Sequence, residues 1–115
     1  MKYFRIACAA IVALVAGSGA ALAASAENGK VAYVKQGCWQ CHGFVGQGSV
    51  ATSGGKVIAR TELPFEAFAG FVRNTNGAMP PYREAVLSDA DLADIYAYLQ
   101  SVPKPPDAGS IPLLK

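Results

Sequence analysis

The strongest hydrophobic pattern lies near the end of the chain, where Leu92, Ile95, Leu99 and Val102 recur at three- and four-residue intervals with Tyr98 beside them. That spacing is the apolar stripe of one helix face. Ser88 stands before it as an N-cap, Asp91 occupies the capping-box position three residues on, and Asp89 also suits the first turn. Pro103 stops the helix. A second stripe, Phe65, Phe68 and Val72, opens at Pro64, a favoured first-turn residue, and predicts a helix to about Asn74. A third helix is expected from about Ala26 to Gln40, with Ser25 as N-cap and Glu27 in the first turn. Gly29 and Tyr33, four residues apart, leave a notch beside an aromatic ring, which suits a close crossing with another helix; the alternative is that Gly29 merely weakens its own. No alternation of the strand kind persists for more than a few residues, so the fold class is mostly α.

The segments between the stripes are of three kinds. Gly43 to Arg60 is a loop, with glycines at Gly43, Gly46, Gly48, Gly54 and Gly55 and no helical or strand period. A phosphate-binding reading of those glycines lacks the Gly-Lys-Ser/Thr run and the strand–turn–helix setting it needs. Asn76-Gly77 marks a turn, followed by Met79-Pro80-Pro81-Tyr82, a loop stiffened by two prolines. Residues 103–115 form a proline-rich tail, expected to be extended, with Ile111, Leu113 and Leu114 exposed unless docked.

Residues 1–23 have the order of a secretory signal. Lys2 and Arg5 form a positive start, Ile6 to Ala16 an apolar stretch, and Ala21-Leu22-Ala23 a small-x-small cleavage site, with Ala24-Ser25-Ala26 as a second one. An uncleaved anchor is the competing reading, since no charge interrupts Ile6 to Ala26, although Gly17-Ser18-Gly19 makes a weak membrane helix. Cys8 stands at the beginning of the apolar stretch and not after it, too early for a lipidated cysteine, and would leave with the signal. Cleavage after Ala23 implies export to the periplasm and one small domain, residues 24–102, with its tail.

Processing also changes the charge. The precursor carries 10 basic residues against 8 acidic ones, and loss of Lys2 and Arg5 leaves the two kinds equal. A formally neutral mature chain is a poor nucleic-acid binder. Membrane contact is expected only if the signal stays uncleaved.

Cys38-Trp39-Gln40-Cys41-His42 is the run that carries chemistry. A Cys-x-x-Cys-His sequence is the attachment signal for haem c. On a helix, Cys41 and His42 lie three and four residues after Cys38, so two thiols and an imidazole share one face. Two thiols can add across the porphyrin vinyl groups while the imidazole is directed at iron. The alternative, a thioredoxin-like redox pair, comes with a preceding strand and a βαβ pattern, which this chain does not have.

His42 is the one histidine of the chain, and the two methionines are Met1 and Met79. After signal cleavage the chain would offer one imidazole and one thioether, the pair a His/Met-ligated haem requires. A lone methionine is ordinarily a filler of core gaps, but the proline-braced loop around Met79 suits a side chain held at a fixed place. Two cysteines remain after processing, and in an oxidising compartment they would otherwise form a disulfide. Arg60, Lys56 and Tyr82 are candidates to meet the haem propionates.

The attachment run, the methionine loop and the terminal helix, in this order, resemble a class I c-type cytochrome of the small bacterial single-haem kind. The resemblance covers about Glu27 to Val102. It implies a cytochrome c fold, three to four helices around one covalently bound haem, with the first and last helices crossing where Gly29 and Tyr33 meet Ile95 and Tyr98. It implies thioethers at Cys38 and Cys41, His42 as proximal ligand and Met79 as distal ligand. Many members of the family place a proline after the attachment run, whose carbonyl accepts the second N–H of the proximal imidazole. No proline lies between His42 and Pro64 here, so a carbonyl in the region from Ser49 to Gly55 is expected to take that part.

The expected function is periplasmic one-electron transfer, without catalysis by this chain alone. The chain would serve as a diffusible carrier or as the cytochrome subunit of a dehydrogenase or oxidase system. Redox partner proteins follow, among them a dehydrogenase, an oxidase or a membrane electron-transfer complex. Trp39 and the Met79-Pro80-Pro81-Tyr82 loop are candidate docking surfaces, Trp39 having packing against its own chain as the alternative. The rival functions are a haem enzyme or gas sensor with an open distal site, and a thiol–disulfide oxidoreductase.

Overall fold

The computed structural model describes residues 23–49 and 54–115 of the chain. Ser25 takes an extended backbone and its hydroxyl accepts the N–H of Asn28 at 3.2 Å, which starts α1, Ala26–Lys35. The helix stops short of the expected Gln40. Gly37 adopts a left-handed backbone (φ 75°), and the N–H groups of Gly37 and Cys38 turn back to the carbonyls of Val34 and Tyr33. That pair of bonds is a Schellman end, which glycine permits without a Cβ penalty. The chain then re-enters a single helical turn, α2, Trp39–His42. α3 spans Phe65–Asn74 behind Pro64, and α4 spans Asp89–Ser101. Ser88 caps α4 as expected, its hydroxyl accepting the N–H of Asp91 at 3.1 Å.

α1 and α4 cross in close contact. Gly29 lies so near the carbonyl of Asp94 that no Cβ fits between them, so the glycine serves the crossing. The rings of Tyr33 and Tyr98 meet with centroids 5.5 Å apart, and the backbone N–H of Ser25 donates to Asp94 Oδ1 at 2.6 Å. α3 joins through Phe65 and Phe68, both against the ring of Tyr96. The core comprises Ala32 and Tyr33 from α1, Phe68 and Val72 from α3, Leu87, and Leu92, Ile95, Tyr98 and Leu99 from α4. Full burial of a side chain of the leucine kind is worth about 1.5–3 kcal/mol, and α4 supplies three such groups, Leu92, Ile95 and Leu99, with the ring of Tyr98 beside them, which makes it the spine of the domain.

The tail departs from a plain extended strand. Ser110 donates both its N–H and its hydroxyl to the carbonyl of Asp107, closing a 3₁₀ turn at Ala108–Ser110, and a second turn follows at Pro112–Leu114. Leu113 and Leu114 stay exposed. Among the described residues no helix is long and apolar enough to cross a membrane and no strand occurs. The expected signal segment, apart from Ala23, lies outside the described residues, as does Cys8.

Candidate functional site

The break at Gly37 sets the Cys38–His42 run apart from α1. Because α1 ends there, Cys38 to His42 form an independent turn in which the N–H groups of Cys41 and His42 donate to the carbonyl of Cys38. Cys38, Cys41 and His42 all line one cavity of about 450 Å³. Its walls come from the stripes already described: Phe68 and Val72 of α3, and Leu92, Ile95 and Leu99 of α4. Met79 and Pro80 line the same cavity from the loop after α3. At the rim Val57 and Phe71 are 68% and 59% exposed, apolar surface that none of the described residues covers.

His42 is held in one orientation. Its Nδ1 lies 2.8 Å from the carbonyl oxygen of Lys56. A carbonyl only accepts, so Nδ1 carries the proton and Nε2 keeps a free lone pair for a metal. The accepting carbonyl was expected between Ser49 and Gly55; it belongs to Lys56, one residue further on. The loop delivers it through backbone pairing. Gly48 N–H donates to His42 O, Ser49 N–H to Gly55 O, and the N–H groups of Ile58 and Ala59 share Gly46 O. Gly55 rests against the carbonyl of Cys41, with no room for a Cβ. Gly55→Ala should therefore force the 54–58 segment away from α2 and weaken the Lys56–His42 bond. The expected cost is about 1–3 kcal/mol, the usual range for overpacking, read as a lower urea midpoint of the haem-bound protein.

The thiol of Cys38 is pushed up to about 11, chiefly by burial and further by the nearby Cys41. Reactive Cys-x-x-Cys pairs work through a depressed pKa and an accessible thiolate, so this environment argues against the thiol–disulfide rival. Among the described residues no three His, Cys, Asp or Glu side chains gather as ligands for a bare metal ion. One imidazole with a free lone pair, one thioether and two thiols around an apolar cavity suit iron carried in a macrocycle. The residues fit haem c.

Residues 24–99 match the family model described as cytochrome c oxidase, cbb3-type, subunit III. The chain belongs to this family of c-type cytochromes. No curated protein and no solved structure gives a significant match. The class I cytochrome c resemblance and the helical cytochrome c fold are thereby shown, with haem c as cofactor and electron transfer as the chemistry of the domain.

Two tyrosines of the cytochrome pin the exit of the Cys38–His42 turn. Tyr33 Oη donates to the carbonyl of Gly43 at 2.7 Å and Tyr98 Oη to that of Phe44 at 2.9 Å. Docking of α1 on α4 thus fixes the backbone that follows His42. The aromatic pair was legible in the sequence, but not these bonds, because loop carbonyls carry no residue signature. Burial, and secondarily nearby Cys38 and Tyr98, raises the Tyr33 pKa well above the ordinary 10.0. Above pH 10 the unfolded chain would release this proton while the folded chain keeps it. The unfolded state then binds fewer protons, so stability falls as pH rises. Urea midpoints of the holoprotein should hold steady through neutrality and drop above pH 10. Tyr33→Phe should cost about 1 kcal/mol at neutral pH and make that alkaline drop shallower.

The propionate candidates separate. Tyr82 lines the cavity, and its hydroxyl donates to the carbonyl of Gln36 at 3.1 Å. Lys56 also lines it. Arg60 is exposed and outside the lining, in a left-handed backbone (φ 52°) uncommon for a residue with a Cβ. Its N–H caps the carbonyl of Leu99 at 2.8 Å, so its visible part is to end α4. Trp39 stacks on Phe44, centroids 4.7 Å apart and planes within 8°, and packs partly against the core. Phe44 is 59% exposed, so this pair both packs on its own chain and presents an aromatic surface.

Proposed function

We propose that the protein is an exported one-electron carrier in which Cys38 and Cys41 anchor haem c, His42 is the proximal ligand and Met79 the distal one. The observation that carries this reading is the meeting of all four side chains at one apolar cavity. Haem c supplies a one-electron ferric–ferrous couple when bound. The chain's own residues hold that centre still. The Lys56 carbonyl fixes the imidazole, the walls from α3 and α4 exclude water, and the hydroxyl of Thr75 donates to the Met79 carbonyl at 3.3 Å within the loop. Haem held by both His42 and Met79 would have no position left for a substrate at its iron, and thioether ligation would favour the reduced state.

The signal-like order of residues 1–23 supports a periplasmic location. The family's description as a subunit of a cbb3-type oxidase supports a partner among membrane electron-transfer complexes, with a dehydrogenase as the other source or sink of electrons. Balanced mature charge makes short-range apolar contact more important than long-range steering. The competing reading, an enzyme or gas sensor with an open distal position, differs in one simple respect. Carbon monoxide added to the reduced holoprotein should leave its visible spectrum unchanged if Met79 holds the iron. A shifted, carbonyl-bound spectrum would favour the open-site alternative.

A further inference from the structure

Arg73, in the last turn of α3, reaches across to the far end of the methionine loop. Its Nη1 donates to the carbonyls of Tyr82 and Leu87 at 2.8 and 2.6 Å, and its Nη2 to Asp89 Oδ1 at 2.6 Å. Tyr82 N–H returns a bond to the carbonyl of Val72 at 3.0 Å. Residues 75–81 are therefore an arc whose two ends are tied to a single turn of α3, with Met79 near its middle. The side chain of Arg73 is only 18% exposed, whereas that of Asp89 is 77% exposed. An ion pair with so exposed a partner contributes little. The two carbonyl bonds, sheltered and charge-assisted, carry the weight of the contact.

We propose that Arg73 is a positioning residue for the Met79 thioether, closing the loop so that the sulfur stays at the iron. The proposal rests on Met79 being the distal ligand. A thioether is a weak neutral ligand, so the iron–sulfur contact depends on how seldom the loop swings away. Only a planar fork spans two carbonyls and a carboxylate at once; lysine, with one nitrogen, loses that geometry. Asp89 and the α4 cap then act on the loop only indirectly.

The test is imidazole binding to the ferric holoprotein, followed by the loss of the near-infrared sulfur–iron band. Arg73→Lys and Arg73→Ala should each bind imidazole about tenfold faster or more, the scale expected when sheltered hydrogen bonds to the loop are removed. Asp89→Asn should stay within about twofold of wild type, as for an exposed pair. Wild-type protein in urea, brought to the same overall stability as the variants, should keep its slow binding, which separates loop release from general loosening. If Arg73→Ala does not fold, Arg73→Lys decides. Wild-type binding rates in the Arg73 variants, with the sulfur–iron band intact, would overturn the proposal while leaving Met79 as ligand. A wild-type spectrum without that band would remove Met79 from the iron and overturn both.

Discussion

Replacing Cys38 and Cys41 together by alanine is expected to abolish covalent haem, so that acid and organic solvent strip the cofactor and the chain keeps only its polypeptide mass. Each single variant should retain one thioether. The effect should extend to folding. A cavity of about 450 Å³ lies beside a core of nine buried residues, and at the mutational cavity coefficient an empty space of that size would cost on the order of 10 kcal/mol. The cavity opens at its rim, so that figure is an upper bound. It is still comparable to the whole stability of a small domain. A haem that binds the folded chain alone stabilises it by mass action, and its loss should leave the double variant largely unfolded by far-ultraviolet circular dichroism. A double variant that still carried haem through extraction would refute the attachment assignment.

Met79→Ala should produce the largest change that leaves the covalent haem in place. Removal of the thioether should open the iron to water and to added cyanide, abolish the sulfur–iron band and lower the potential. The drop should be on the order of a few tenths of a volt, a substantial part of the ~0.8 V that axial ligands span. Potentiometric titration of the purified holoprotein reads this directly. Met79→His should restore a six-coordinate low-spin site at a potential still below wild type, because imidazole favours ferric iron relative to thioether. Attachment should survive in both variants, since Cys41 lies on α2 and Cys38 caps it, whereas the substitution falls on a separate loop. An unchanged potential and near-infrared spectrum in Met79→Ala would mean that Met79 is core packing.

The elements legible in the sequence are those whose side chains state their own environment. The stripe Leu92–Ile95–Leu99 and the Ser88 cap gave α4 nearly to the residue, and Gly29 announced the crossing that Asp94 completes. The Cys38–His42 run marked in advance three side chains that the structure brings to one cavity. What stayed hidden depends on backbone carbonyls. The Lys56 carbonyl holding His42, the Gly43 and Phe44 carbonyls held by Tyr33 and Tyr98, and the Tyr82 and Leu87 carbonyls held by Arg73 belong to residues whose side chains give no sign of it. Nothing in the sequence sets Arg73 apart, because its partners are brought near only by the return of the loop. Gly37 illustrates the same limit. A glycine within a helical pattern is either tolerated or a stop, and the left-handed φ that decides between them is a tertiary fact.

The most direct test of the account is a methyl spectrum of the ferrous holoprotein with methionine labelled at its methyl carbon. With residues 1–23 removed, as the export proposal requires, Met79 is the only methionine of the sequence. A methyl group bound to iron lies over the porphyrin ring, whose current moves it far upfield of any ordinary methionine. One labelled resonance is expected, in that upfield region, from the exported protein. A single resonance at the ordinary position would place Met79 in the packing of the core and contradict a His42/Met79-ligated electron carrier.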